Sequence, residues 1–274
     1  MKNNILIFSL IVYWLLNIVV AQTENKYEKL INDIQFENFA KKRKLVSHWQ
    51  IYQLRDSGAL VVRLKSNKKV IALLQKNNNT VEAKKIETET LQRNKTILDA
   101  FMQYYTFSKV YFIYDYSSDS LRKNSSGKFF LNKNLERDTG IILKEKFYLI
   151  AENNNLVTST IGMIPDSLAP YAVEKGSESK NMAIVIKNKY GHQLKAPFPF
   201  FVRKFYVSKK DMFQKLPRYA SKSQYIQQLT LPTAEELKSC KFCFSVLVLD
   251  MYLYEYKEAV SRPEIIEDIK HYLY

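Results

Sequence analysis

Residues 58–64, GALVVRL, and residues 109–116, KVYFIYDY, are two apolar stretches that enclose a long segment of helical pattern. The first is opened by an Asp-Ser-Gly turn signal and closed by Lys-Ser-Asn. A continuous apolar run of this length is typical of a strand that is covered on both faces. We therefore predict strands over Gly58–Leu64 and Val110–Tyr116, joined by a helical crossover as a right-handed parallel pair.

The segment between these strands carries apolar residues at helical spacing, with one interruption at Asn77–Asn79. Asn79 is a good helix cap, and Glu82, three positions later, completes a capping box. Charged residues follow the polar face of the second helix. This pattern predicts a helix that lies on the outside of the sheet and faces water on its far side.

Four more stretches have strand character. Lys128–Leu131 and Lys146–Glu152 are predicted as two strands separated by a polar turn, and Asn181–Lys187 is predicted to pair with Phe198–Val207. Prolines stand at and just before the start of the last stretch. Because proline cannot donate to the hydrogen-bond ladder, that strand is expected at an edge or bulge.

Helices are predicted on either side of these strands. Glu24–Phe39 and a short segment, Leu168–Glu174, have helical spacing, and two capping boxes, Thr233 with Glu236 and Ser261 with Glu264, open the last two helices. The first of these two is expected to run toward Tyr256. The whole pattern predicts an α/β domain, a three-layer sandwich with a mixed, partly parallel sheet.

The order of strand, helix, strand, hairpin and helix also resembles a thioredoxin-like layout. A redox site of that type would place Cys-x-x-Cys where the first strand meets its helix, since a helix N-terminus stabilises a thiolate. Here the junction is Leu64-Lys65-Ser66-Asn67. The layout is therefore predicted without the redox motif at that position.

The N-terminus has the pattern of a secretory signal. Lys2 precedes an apolar run from Ile5 to Val20, which ends at the small residue Ala21 before a polar stretch. An uncleaved anchor is the alternative. We predict a signal peptide over 1–21, an N-terminal helical segment over 22–56, a single α/β domain over 57–274, and a periplasmic or secreted protein. No transmembrane span is predicted after signal removal, since the most apolar later stretch contains Asp250 and Glu255.

The chain is strongly basic, with 42 Lys and Arg against 27 Asp and Glu and a net charge of +15. Such an excess attracts anionic surfaces. The tightest basic run is Lys41-Lys42-Arg43-Lys44. It is either a solvated surface or an anion-binding patch for polysaccharide, lipid headgroups or nucleic acid.

The two cysteines, Cys240 and Cys243, are three residues apart within the helix predicted from Thr233. They are interpreted either as packed or disulfide-bonded residues or as a redox pair, and an exported compartment permits oxidation. A zinc site needs more ligands, and the three histidines, His48, His192 and His271, are scattered. No metal and no cofactor is predicted.

One polar cluster, Asp115, Ser117 and Asp119, follows the second predicted strand. Open α/β sheets bind ligands at the carboxyl ends of strands, so this cluster is a candidate for holding a cation or polar ligand. The alternative is an Asp/Ser turn that caps its own backbone. The sequence has no hydrolase elbow, zinc-protease motif or phosphate-binding glycine loop, so no catalytic residue is predicted.

Residues 59–74, ALVVRLKSNKKVIALL, and 109–120, KVYFIYDYSSDS, resemble uncharacterised, signal-bearing proteins of Bacteroidetes-type bacteria. The resemblance implies an exported protein and no specific activity. The sequence thus favours a non-enzymatic exported binding or envelope-associated domain. Its partner is unknown, and an anionic envelope component is one candidate. The alternatives are a thiol-disulfide protein that uses Cys240 and Cys243, and a basic anion- or polysaccharide-binding module.

Overall fold

The fold is taken from a computed structural model, which describes residues 40–123, 127–158, 177–203, 240 and 242–260. The chain divides into two compact units, Met1–Gln50 and Ile51–Tyr274. Of the first unit the structure describes residues 40–50, which are helical throughout. The second unit contains the sheet.

Five helices and five strands are described, in an α/β arrangement. In chain order they are α1 (Ala40–Asp56), β1 (Ala59–Leu64), α2 (Lys68–Lys76), α3 (Thr80–Tyr104), β2 (Lys109–Tyr114), α4 (Ser118–Lys123), β3 (Tyr148–Thr158), β4 (Ser177–Lys187), β5 (Phe201–Arg203) and α5 (Cys243–Val260). A short 3-10 turn, Asp115–Ser117, joins β2 to α4.

The strands form one mixed sheet in the order β2-β1-β3-β4-β5. β1 pairs in parallel with β2, which confirms the predicted parallel pair, and on its other side it pairs in parallel with β3. β4 is antiparallel to both β3 and β5. Among the described strands β5 is the last in the sheet order, which agrees with the prediction that this strand lies at an edge or bulge.

Apolar side chains cover both faces of β1. Leu60, Val62 and Leu64 point to one face, where they join a cluster with residues of α3 and α5. Ala59 and Val61 point to the other face and pack in a cluster with Leu121 of α4 and with residues of the segment that leads to β3. Coverage on both faces explains why the sequence of β1 is a continuous apolar run and not an alternating one.

The predicted break between the two crossover helices is confirmed. α2 ends at Lys76 and α3 begins at Thr80, and the Asn79 side chain accepts a hydrogen bond from the Glu82 backbone N–H at 3.3 Å. This bond satisfies one of the N–H groups that a helix start leaves without an intrahelical acceptor.

Asn79→Ala is expected to lower the free energy of unfolding by about 1 kcal/mol, because it removes this cap. Urea unfolding followed by circular dichroism measures the change. Lys84→Ala, at an exposed position on the same helix, is the control and should change stability by less than about 0.5 kcal/mol. Equal effects of the two substitutions would show that the cap does not stabilise the helix.

The prediction of a strand over Lys128–Leu131 is wrong. Leu131 makes one isolated bridge with Arg137, and the neighbouring residues have no strand pairing. Phe129 and Phe130 are both buried in the same cluster, with ring centroids 4.9 Å apart. Successive side chains of a strand point to opposite faces. The segment is therefore an irregular cover for the sheet.

Several sequence predictions lie outside the described residues. They are the signal peptide over 1–21, the helices over Glu24–Phe39 and Leu168–Glu174, the capping boxes at Thr233 and Ser261, and the end of the strand predicted to Val207. Within the described residues, no helix has the length and apolar character to cross a bilayer.

Asp250 anchors α5 to the connection between α3 and β2. This carboxylate is fully buried and accepts hydrogen bonds from the Thr106 and Phe107 backbone N–H groups, each at 2.8 Å, and from the Thr106 hydroxyl at 2.9 Å. The Arg55 guanidinium donates to the Phe107 carbonyl and lies over the Tyr254 ring, 5.1 Å from its centroid. One side chain of α5 thus holds the turn that leads into β2.

Candidate functional site

The connections leaving β1 and β2 cover opposite faces of the sheet. The α2–α3 connection from β1 to β2 packs on the face of Leu60, whereas the connection from β2 to β3 packs on the face of Val61. The first connection leaves the sheet at the carboxyl end of β1 and the second at the carboxyl end of the neighbouring strand β2, so they diverge between these two strand ends. Such a switch point opens a crevice where α/β sheets bind ligands.

A charged cluster lies beside this position, on β1 and on the strands β3 and β4. Glu152 of β3 forms ion pairs with Arg63 of β1 and with Lys187 of β4. Arg63 and Glu152 are paired across the two strands, on the face that carries Val61 and Ile150. We call Arg63, Glu152 and Lys187 the charged triad; it spans three neighbouring strands.

Burial within the triad is unequal. The Glu152 side chain is 4% exposed, whereas those of Arg63 and Lys187 are 28% and 19% exposed. Asn154 also donates from Nδ2 to Glu152 Oε1 at 3.0 Å. The carboxylate is therefore enclosed by donors, and the two cations are the members of the triad that water and solutes reach.

Glu152 stays ionised in this environment. Burial by itself raises the pKa of a carboxyl group, but the hydrogen bond from Lys187 and the charge of Arg63 outweigh it, so the pKa of Glu152 is lowered from its usual 4.5. With Glu152 charged, two cations share one carboxylate. The triad therefore carries one net positive charge at neutral pH.

The predicted cluster at Asp115 lies at the same edge of the sheet. Asp115 Oδ1 accepts from the Ser66 hydroxyl at 2.6 Å, from the Ser66 backbone N–H at 3.2 Å and from the Tyr116 N–H at 2.9 Å. Its carbonyl accepts from the Ser118 hydroxyl at 2.7 Å, and Arg63 Nη1 lies 3.5 Å from the Ser118 Oγ. Asp115 thus ties the ends of β1 and β2 together and is connected through Ser118 to the triad.

The other two residues of that cluster have different environments. Ser117 is buried, whereas the Asp119 side chain is exposed and pairs with Arg122 on α4. The oxygen atom Asp115 Oδ1 is engaged with backbone and hydroxyl donors, as in a turn that caps its own backbone. The binding of a cation or polar ligand by Asp115, Ser117 and Asp119 stays a prediction.

An aromatic surface borders the carboxyl end of β2. The rings of Tyr114 and Tyr116 are stacked with centroids 5.5 Å apart, and Tyr116 is 39% exposed. Lys68 Nζ lies 3.8 Å from the centroid of the Tyr116 ring, and the Arg137 guanidinium carbon lies 5.3 Å from it. This edge of the sheet therefore combines cations with an accessible aromatic ring.

Comparison of the chain with protein-family models, curated proteins and solved structures gives no match.

Cys240 and Cys243 form a disulfide, with their Cα atoms 5.3 Å apart. The prediction that both lie inside a helix is wrong: α5 begins at Cys243, and Cys240 precedes it. The physical reason is that the Cys243 N–H donates a hydrogen bond to Cys240 Sγ at 3.1 Å and not to a backbone carbonyl of the described residues. The Val246 N–H, which donates to the Phe242 carbonyl, makes the first backbone hydrogen bond of this helix end. The pair therefore stands at the N-terminus of an 18-residue helix.

The basic run Lys41–Lys44 lies near the start of α1. Lys44 is exposed; the side chains of the other three lie outside the described residues. Of the histidines, His48 is buried in α1, where burial and the charge of Lys44 lower its pKa from 6.5 to about 4, and His192 is exposed after β4. His271 lies outside the described residues, and in the described parts of the chain no three His, Cys, Asp or Glu residues are grouped to hold a metal ion.

The sequence prediction missed the triad. Its signal is a charged residue near the carboxyl end of each of three largely apolar stretches: GALVVRL, KFYLIAE and NMAIVIK. Each of these charged residues, taken alone, is typical of the end of a predicted strand. Only the pairing of β1 with β3, and of β3 with β4, brings them together.

Proposed function

We propose that this protein is a non-enzymatic, exported binding protein, periplasmic or secreted, whose α/β domain binds an anionic group at the charged triad, beside the carboxyl end of β1. The observation that carries the proposal is that Arg63 and Lys187 share the single buried carboxylate of Glu152. Export is supported by the apolar N-terminal pattern that ends at Ala21.

An anion fits this edge better than a cation. The triad has a spare positive charge, and its exposed members are the two cations. A guanidinium offers several N–H donors in one plane, which match the oxygens of a carboxylate or phosphate. The net charge of +15 over the chain would also raise the rate at which anions arrive.

Binding is favoured over catalysis by the state of Glu152. Its lowered pKa makes it a weak base at neutral pH, and both of its oxygens are engaged by donors. An anionic envelope component, such as an acidic polysaccharide, would supply a suitable group to the exposed cations. The basic run Lys41–Lys44 is a second anion-binding candidate, supported by sequence and by its place on a helix.

The layers of the domain and the order of its elements support a finer description of the fold. Helices on one face, and α4 with its following segment on the other, support a three-layer sandwich. The order of β1, crossover, β2, hairpin and α5 supports a thioredoxin-like layout, with a Ser66–Asp115 contact at the strand–helix junction where a redox motif would lie.

The proposal is tested by titrating inorganic phosphate into the purified chain and its variants by calorimetry at low ionic strength. Arg63→Gln and Lys187→Gln are each expected to weaken phosphate binding at least tenfold, or about 1.4 kcal/mol, because each removes one of the two accessible cations. Added sodium chloride should weaken binding to the wild type, since salt screens exposed charges.

Lys85→Gln is the matched control for this titration. It removes the same charge from an exposed ion pair with Glu82 on α3, so its phosphate affinity should match that of the wild type. Circular dichroism of every variant separates loss of the site from loss of the fold. Equal affinities for Arg63→Gln, Lys187→Gln and Lys85→Gln would contradict the proposed site.

A further inference from the structure

The disulfide between Cys240 and Cys243 has unequal partners. Cys243 is 4% exposed and lies in the main apolar cluster, whereas Cys240 is half-buried at its border. Phe242 and Phe244, on either side of Cys243, are also buried. A thiol that approaches from solution therefore meets Cys240 first.

The surroundings of the pair favour thiolates. The N-terminus of α5 carries the partial positive charge of a helix dipole, and the first turn of α5 contains no acidic residue. The Cys243 N–H already donates to Cys240 Sγ at 3.1 Å. After reduction the same N–H would stabilise a thiolate at Cys240, which lowers the pKa of a thiol placed there.

We propose that Cys240–Cys243 is a redox-active disulfide that exchanges with a dithiol of a partner protein, with Cys240 as the sulfur that is attacked. The spacing, the unequal burial and the N–H···S contact carry this assignment. The pair packs with the cluster on the face of Leu60, opposite the face that carries the charged triad, so the two sites are tested separately.

The exchange proceeds in two balanced steps. A partner thiolate attacks Cys240 Sγ, the bond between the two sulfurs breaks, and its electron pair leaves on Cys243 Sγ, which takes up a proton. The second partner thiol loses its proton and attacks the partner sulfur of the mixed disulfide, and Cys240 leaves as a thiolate. The chain gains two electrons, and the partner dithiol becomes a disulfide.

The first test is the rate of reduction of the full, oxidised chain by dithiothreitol, a small dithiol, read by acid quench, alkylation and intact mass. The folded chain is expected to react at least tenfold faster than the same chain unfolded in urea, because the N-terminus of α5 stabilises the Cys243 thiolate that leaves in the first step and the Cys243 N–H stabilises the Cys240 thiolate that leaves in the second. Reduction no faster than in the unfolded chain would overturn the proposal and mark the bond as structural.

The second test locates the attacked sulfur with two matched variants and oxidised glutathione. Cys243→Ser is expected to form a mixed disulfide with glutathione at Cys240, whereas Cys240→Ser leaves the buried Cys243 and is expected to react at least tenfold more slowly. The reduced wild type shows without any substitution which sulfur is more reactive, since iodoacetamide should label Cys240 before Cys243. The opposite order of labelling would overturn the assignment of Cys240.

Discussion

Asp250→Leu is expected to lower the free energy of unfolding by about 4 kcal/mol. The substitution removes three hydrogen-bond acceptor contacts and leaves the backbone N–H groups of Thr106 and Phe107 without their carboxylate. Buried donors that lose their acceptor cost about 1–3 kcal/mol each, and the larger side chain must also fit a fully buried position. Urea unfolding of the variant and the wild type measures the loss.

Asp250→Asn is the matched control for this substitution. Its carbonyl oxygen can accept from both backbone N–H groups, and its amide can donate to the Thr106 hydroxyl. We expect a change of less than about 1.5 kcal/mol at neutral pH, because the hydrogen-bond pattern is kept. A loss as large as that of Asp250→Leu would show that the negative charge, not the hydrogen bonding, holds α5 in place.

The same pair of proteins tests the titration of Asp250. Burial raises the pKa of Asp250 from 3.8 to about 6. The hydrogen bonds from Thr106 and Phe107 and the charge of Arg55 act in the opposite direction, but burial outweighs them. The folded state therefore favours the protonated form. The stability that this group contributes is fully present below about pH 4 and is lost as the pH rises through about 6.

We therefore expect the wild type to lose stability relative to Asp250→Asn between pH 4 and pH 6.5, by an amount on the order of 3 kcal/mol. Other titrating groups, including Glu152, are common to both proteins and cancel in the difference. A difference in unfolding free energy that is constant over this range would contradict the raised pKa.

Glu152→Gln is expected to lower the free energy of unfolding by about 3 kcal/mol. The substitution leaves Arg63 and Lys187 without the carboxylate that compensates them, and removal of one partner from a buried ion pair costs about 3–5 kcal/mol. The low end of that range applies because both cations are partly exposed. Urea unfolding measures the change.

Glu82→Gln serves as the control for this loss. It breaks an exposed ion pair with Lys85 on α3, and exposed pairs contribute about 0–1 kcal/mol. The two substitutions change the net charge equally, so a difference between their unfolding free energies reflects the burial of the Glu152 ion pairs. Equal stabilities of Glu152→Gln and Glu82→Gln would show that the triad does not stabilise the sheet.

The local parts of the fold could be predicted from the sequence. β1, the break before α3 and the Asn79 cap depend on residues within a few positions of each other, and they are found as expected. The strand predicted at Phe129 and Phe130 was wrong because a run of three apolar residues does not distinguish a strand from an irregular segment that buries both side chains.

The candidate site could not be predicted in the same way. The charges of Arg63, Glu152 and Lys187 are far apart in sequence, and the pairing of β1 with β3 depends on contacts across the whole domain. The cluster that the sequence predicted, at Asp115, consists of residues within five positions of each other, and it lies at the carboxyl end of β2. The start of α5 was misplaced because the bond from the Cys243 N–H to a sulfur atom has no signal in helix propensity.

The most direct test of the anion site is the affinity of Glu152→Gln for inorganic phosphate, measured by calorimetry beside the wild type under conditions where both are folded. Glu152 competes with an incoming anion for Arg63 and Lys187, so its neutralisation leaves the cluster with two positive charges in place of one. We expect the variant to bind phosphate about tenfold more tightly, a gain of about 1.4 kcal/mol, although it is less stable. Unchanged or weaker phosphate binding by a folded Glu152→Gln protein would contradict the proposed anion site and leave the triad as a structural ion-pair network.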